Sequence, residues 1–531
     1  MMQLTSIRFY AHLTGFVCVL CLIIAGCSTS PHRDAPNALR TAELAFNNGR
    51  ANEVISILTH SSPRGLSPEL TLRYWGLLAA AYRFVGQPVQ AVAQLDRRDG
   101  LYPPLSTARR DNQLAILTTL NTLNSTALNH AARTAGNEQL RDWIDIARLF
   151  RSTTNHSIAE VSYQSWRAAH NHHPALPELA EVYYGARAGH YPANSRVAVL
   201  LPKGGRFADA SHAIRTGLMA AYDANHSGAR PYLHVPSAQT PAVYDAAVTA
   251  GSDVVIGPLE KTAVDELVSR RELPVPTLAL NRISDDSPNS GRQLNLPDQL
   301  TLFALSPEDE AINAAQYAWA SGLRSALLLA PQGQWGTRLA SAFRSAFRAL
   351  GGTVVREQVY GATSGGYGAA IGSLLAGSKA DVIFVVATNT VIDELWPLLE
   401  QANRTQLPVI TTSHVHDGLN NVVRESGLIG LYFVDIPWLL EQNAADPLTR
   451  EQLQATLPGV TGPLARLYAM GIDAYRVAPY AAALRQDPGL VFSGATGELS
   501  VDPQGVMVRQ LALAQFTATG VRRVQQVGRG N

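Results

Sequence analysis

Residues 196–201 read Arg-Val-Ala-Val-Leu-Leu, a continuous apolar run of strand length, and Phe207, Ala210, Ile214, Leu218 and Tyr222 then recur at helical spacing. That is one βα unit, and the pattern repeats. Further apolar runs stand at 254–256, 277–280, 326–329, 382–386, 408–411 and 431–434. Most are separated by a plausible amphipathic helix, such as the one carrying Leu339, Phe343, Phe347 and Leu350. Strands that are apolar throughout, without alternation, are buried on both faces, which belongs to parallel sheets covered by helices. So many units exceed a single doubly wound domain and fit two similar lobes, assigned to 195–531. The chain is expected to cross from the first lobe to the second near 306, to return near 412, and to cross again later. Ligands of open α/β sheets sit beyond the carboxyl ends of the strands, so the natural site is the cleft between lobes.

Upstream of this half, from 37 to 190, the pattern is purely helical, rich in Ala, Leu and Arg and poor in β-branched runs. A tetratricopeptide register of roughly 34 residues fits Trp75, Leu78, Ala79, Tyr82, Ala91, Leu95 and Pro103. Trp143 falls two such periods after Trp75, and Ile146, Ala147, Phe150, Ala159 and Tyr163 fill the same register. Gly49 and Gly86 mark equivalent turns a few residues further apart than the period, and the unit between 107 and 135 has lost its aromatic positions. Small Ala lets paired helices approach while Trp and Tyr fill the grooves, so Trp75, Tyr82, Trp143 and Trp166 read as packing residues. A generic helical bundle is the alternative to a repeat superhelix. Stacked repeats perform no chemistry and offer a concave face to peptide or protein.

The N-terminus reads as an address. A lightly basic start with Arg8 leads into an apolar stretch from Phe16 to Ile24, too short to span hydrocarbon as a helix. It ends Ile24-Ala25-Gly26-Cys27, which resembles the bacterial lipobox, so 1–26 is expected to be removed and Cys27 to carry the lipid. Two or three acyl chains anchor stably, at roughly 0.8 kcal/mol per buried methylene. Ser28, where a retention signal would place Asp, directs the chain by analogy to the outer membrane, with 27–36 as lipidated Cys and polar tether.

Composition narrows the function. The 531 residues are 46% hydrophobic and 16% charged, with Lys+Arg 43 against Asp+Glu 42, so no net field draws nucleic acid. All 3 cysteines lie at the start, Cys18, Cys21 and Cys27, so the body has neither disulfide nor thiolate metal site. Lys203-Gly204-Gly205 lacks the order of a phosphate loop, no strand is followed by a dinucleotide glycine fingerprint, and 493–497 (SGATG) is not a nucleophile elbow but precedes a hairpin. His172 and His173 are adjacent and so point apart. His414, His416 and Asp417 form the best metal constellation, yet without a third converging ligand they read as a solvated loop. The expectation is therefore no catalytic set, no cofactor and no metal. Asn281, Thr412 and Ser413 follow strands at positions where cleft residues fall, and both ligand contact and loop capping fit them.

Specific segments then become recognisable. The second half resembles a type I periplasmic binding protein, and the whole chain resembles the LpoA (LppC) family of penicillin-binding protein activator lipoproteins. The resemblance rests on VAVLLPKGGRFADASHAIRTGLMAAY from Val197, VIGPLEKTAVDELV from Val255, LALN from Leu278 and FALSPEDEAINAAQYAWASG from Phe303. It continues in Thr412-Ser413-His414, in 432–438 (YFVDIPW), in RLYAMGIDAY from Arg466 and in GATGELSVDPQGVMVRQLALAQF from Gly494. The resemblance implies an outer-membrane lipoprotein, not itself an enzyme, that reaches through the periplasm to stimulate a class A penicillin-binding protein. It implies too that the C-terminal module engages the synthase while the helical repeats extend it toward the inner membrane. Asp435 and Trp438 are taken as an exposed patch for that partner, with a strand end and a helix start as the alternative. A solute receptor for a small amino-acid-like or cell-wall-derived ligand is the competing function, resting on fold alone.

Overall fold

The helical half begins where a run of Ala, Leu and Asn residues can close its first turns. In the computed structural model, residues 35–528 are described apart from 154, 193, 225–231, 235–239, 285–286, 288–294, 362–365, 420, 441–445, 447 and 458–459. Cys27 and the signal segment lie outside the described residues. The helices are α1 (Ala35–Asn47), α2 (Ala51–Thr59), α3 (Pro68–Phe84), α4 (Pro88–Asp99), α5 (Thr107–Asn121), α6 (Ser125–Thr134), α7 (Glu138–Arg151), α8 (His156–Ala169) and α9 (Leu179–Ala188).

Their starts follow from local chemistry. Ser67, Ser106, Asn124, Asn137 and Asn155 each accept a backbone N–H of the following turn, satisfying an amide that a helix start leaves open. Gly49 and Gly86 end α1 and α3 at φ +70° and +72°. After each, the next N–H reaches back over the turn, Arg50 N to Ala45 O at 2.9 Å and Gln87 N to Tyr82 O at 2.8 Å. The two turns are thus built alike. Between the helices Ala79, Ala91, Ala147 and Ala159 are buried with Leu95 and Phe150. Trp143 is fully buried and its indole N–H donates to Asp96 of α4 at 2.8 Å, joining one hairpin of helices to the next.

The α/β half starts with β1 (Arg196–Val199), α10 (Ala208–Ala224), β2 (Tyr232–His234), α11 (Pro241–Thr249), β3 (Val254–Ile256), α12 (Lys261–Val268), β4 (Thr277–Ala279) and β5 (Leu300–Leu302). These strands form one parallel sheet in the order β2-β1-β3-β4-β5. Next come α13 (Pro307–Ala320), β6 (Ser325–Pro331), α14 (Gln334–Ala349), β7 (Thr353–Tyr360), α15 (Tyr367–Leu375), β8 (Val382–Val385), α16 (Asn389–Ala402), β9 (Val409–Thr411) and β10 (Tyr432–Asp435). The chain ends in α17 (Ala465–Val477), α18 (Ala481–Gln486), β11 (Phe492–Gly494), β12 (Gly497–Val501), β13 (Met507–Gln510), β14 (Ala512–Thr517) and β15 (Gly520–Val524). The second sheet runs β15-β14-β10-β9-β8-β6-β7, and β11-β12-β13 make a small antiparallel sheet. The result is an all-α half joined to a two-lobed α/β half.

Two expectations need correction. The chain does not leave the second lobe near 412: β9 and β10 are parallel neighbours in one sheet, and the return comes after β10, when α17 packs on α10 of the first lobe. The turn at 412 carries a strand-ending polar triplet but no change of layer, so periodicity could not separate it from a crossing. The sheets are also not wholly parallel, because β14 pairs antiparallel with both β10 and β15. β7 escaped the apolar-run reading because it is an edge strand, alternately exposed and half-buried over most of its length.

Candidate functional site

Loops after β4 and β9 carry the polar residues expected of a cleft. Each is committed inside the protein. Asn281 donates through its side-chain amide to Leu259 O at 2.9 Å and accepts from Arg282 N at 2.9 Å, so it caps its own loop. Thr412 is fully buried, with its hydroxyl 3.0 Å from His414 Nδ1. Ser413, 3% exposed, donates from both N and Oγ to the carboxylate of Glu310 on α13, at 2.9 Å each. Sequence reasoning placed these three residues after strands; the structure ties Ser413 to the helix on which the chain changes lobe.

The strongest electrostatic feature is next to it. Asp435, at the end of β10, is 1% exposed and accepts from His416 Nδ1 at 3.0 Å. Arg466 of α17 donates to both of its oxygens, Nε to Oδ1 at 2.8 Å and Nη2 to Oδ2 at 2.5 Å. Arg466 Nη2 also reaches Ser413 O at 3.2 Å and His416 O at 3.0 Å. Burial pushes the Asp435 carboxyl up, but Arg466 and His416 outweigh it and hold it down to about 2. The Arg466 guanidinium, which burial would lower, is raised by the same pairing. Since α17 packs on the first lobe and β10 belongs to the second, this bidentate pair bolts the lobes together. A second tie runs from Arg282, after β4, to both oxygens of Asp309 on α13 at 3.1 Å.

These contacts correct the proposed partner patch. Asp435 is interior, and Trp438 is 7% exposed with its indole N–H bonded to Leu448 O at 2.7 Å. The physical reason is that β10 is covered on both faces, so the polar residue at its end meets Arg466 instead of water. His414, His416 and Asp417 do not converge either. His414 lies 3.5 Å from Glu310 and edge-on to Trp335, His416 turns to Asp435, and Asp417 accepts from Leu419 N within its loop. Among the described residues no group of three or more His, Cys, Asp or Glu side chains is placed to hold a metal ion.

The other charged surface that matters is the seam between the halves. Arg98 of α4, 4% exposed, pairs with Asp487, and Arg83 of α3 donates to Pro488 O at 2.8 Å and Gly489 O at 3.0 Å. Tyr191 OH donates to Tyr475 O at 2.7 Å, and Arg523 reaches Thr122 O at 2.6 Å. One apolar cluster runs without a break from Ala79 and Trp143 through Val197 to Leu513. Part of the surface of the helical half is therefore taken up by the chain's own second half. Arg466, Glu310, Arg98 and Asp487 escaped the sequence reading. The available signal was a set of charged residues, Arg466, Asp473 and Arg476, inside a largely apolar helical pattern.

The chain matches the model of the LppC putative lipoprotein family over residues 21–519. It is 26% identical over 588 residues to the penicillin-binding protein activator LpoA of Edwardsiella ictaluri (strain 93-146), an alignment covering 90% of this chain and 84% of that one. The crystal structure of full-length LpoA from Haemophilus influenzae is similar with a TM-score of 0.54 at 24% identity, covering 97% of this chain and 93% of that one. The C-domain of LpoA from Haemophilus influenzae, a regulator of PBP1A, is similar with a TM-score of 0.53 at 26% identity, covering 62% of this chain and 100% of that one.

Proposed function

This chain belongs to the LppC putative lipoprotein family, and from that premise we propose that it is an outer-membrane lipoprotein that activates a class A penicillin-binding protein by direct contact. The observation that carries the reading is a family match spanning both halves, together with relatives, aligned over most of both chains, that are named activators. Cys27, after Ile24-Ala25-Gly26, supplies the anchor, and the body faces the periplasm. The protein regulates a bifunctional peptidoglycan synthase and catalyses nothing itself. The bolted lobes support contact over carriage: a solute receptor works by opening and closing about a ligand, whereas Arg466 and Glu310 here spend the polar groups of the cleft loops on internal bonds.

The test is the glycan polymerisation and crosslinking rate of the class A synthase from the same envelope, with and without the purified mature chain lacking its lipid. A rise in either rate is expected; two unchanged rates overturn the reading. Calorimetry against pooled amino acids and cell-wall fragments addresses the receptor alternative, which strong stoichiometric binding at the lobe cleft would favour.

A further inference from the structure

Two cavities lie along the seam between the helical half and the α/β half. One, of about 430 Å³, is walled by Asn129, Arg148 and Arg151 on the helical side and by Glu498, Gln510 and Arg523 on the other. That size falls within the roughly 300–1,000 Å³ of small-molecule sites. Its lining holds three guanidiniums and one carboxylate. Arg148 is steadied by Asp145 and by Asn129, both at 2.7 Å. Arg151 donates to Leu123 O and Arg523 to Thr122 O, each at 2.6 Å, so backbone carbonyls hold both heads in place. Arg523 and Arg151 are close enough to repel: burial first, with Arg151 adding to it against Tyr317, brings the Arg523 guanidinium down to about 10.

The rigid fork of arginine matches carboxylate and phosphate oxygens, and arginines of both halves line this one partly enclosed space. Glu498, which accepts from Ser493 Oγ at 3.2 Å, and the amides of Gln510 and Asn129 suit hydroxyl or amide groups on the body of such a ligand. We propose that this cavity binds a small organic anion, carboxylate- or phosphate-bearing, between α7 and β15. Arg148 and Arg151 belong to the helical half and Arg523 to the α/β half, so the ligand bridges the two. Occupancy then stabilises their docked arrangement by mass action.

The experiment uses the full mature chain without lipid, titrated by calorimetry at fixed ionic strength with inorganic pyrophosphate in one arm and the dipeptide alanyl-alanine in the other. Saturable one-to-one binding in either arm is expected, with affinity falling roughly tenfold or more in Arg148→Gln and in Arg523→Gln. The arm that binds identifies phosphate or carboxylate as the natural chemistry. Arg148 is partly exposed, so its variant decides the question if the buried Arg523 variant fails to fold. No saturable binding in either arm at millimolar concentration, or binding that Arg148→Gln leaves intact, overturns the proposal.

Discussion

Gly217 and Gly471 mark the point where α10 and α17 cross. A Cβ on Gly217 would lie 2.0 Å from the carbonyl oxygen of Tyr468, and one on Gly471 would lie 2.0 Å from that of Ile214. Both are needed for close approach of two backbones, not for an unusual φ. The contact fastens the last return of the chain to the first lobe, and it positions Arg466 over Asp435.

Replacing either glycine with alanine forces backbone against methyl. Gly217→Ala and Gly471→Ala are each expected to cost about 1–3 kcal/mol, the usual cost of overpacking. Gly368 of α15 has nothing within 4 Å of its would-be Cβ, and Gly368→Ala is expected to be neutral or slightly stabilising. Thermal melts of the three variants check this. Equal midpoints for all three would show that the crossing yields without penalty.

Removing Arg466 strands a buried carboxylate. Arg466→Met is expected to lose about 3–5 kcal/mol, and the double variant with Asp435→Asn much less, because the cost lies in the uncompensated charge. Denaturant titration of both singles and the double gives the coupling energy. Additive effects would mean that the pair does not act as a bolt.

Acid should reveal the same pair. Asp435 is held at about 2, below the roughly 3.9 of an unfolded aspartate, so its contribution is complete above that value and is lost as pH falls through about 2. Asp473 has the opposite sign: burial lifts it to about 6 against the Thr496 hydroxyl and the Thr496 and Ala495 amides, so its protonation favours the folded state as pH falls through about 6. Stability measured against pH is expected to fall more gently below pH 4 in Asp435→Asn than in the parent chain. Parallel profiles there would contradict the pairing.

The proposed anchor rests on one thiol, Cys27. Cys27→Ala is expected to abolish the lipid mass on the mature chain and to move the protein out of the outer-membrane fraction, with no change in the melting of the purified body. Intact-mass measurement and membrane fractionation check it. A variant that still sediments with the outer membrane would point to attachment by protein contact.

Much of the architecture was legible because it is written at short range. The Ala and Trp spacing around Trp75 and Trp143 marked helices that pack in pairs, and unbroken apolar runs such as 382–386 marked strands covered on both faces. β2, β4 and β5 are only three residues long, and β7 alternates at an edge; such strands carry little signal, although β4 was caught by its apolar run. The partner-patch residues Asp435 and Trp438 were read at a strand end and a helix start but with the wrong exposure. Asp435 looked like a solvent-facing strand end because Arg466, which buries it, is far along the chain.

The sequence by itself determined the helical character of the first half and the succession of strands and helices in the second, since periodicity and turn chemistry act between near neighbours. Only the tertiary structure decided where the chain returns to the first lobe, which charges are sealed between lobes, and which face of the helices is covered by the α/β half. Those outcomes depend on distant pairs, Gly217 with Gly471, Arg466 with Asp435 and Arg98 with Asp487, whose energies arise only after folding has brought them together and excluded water.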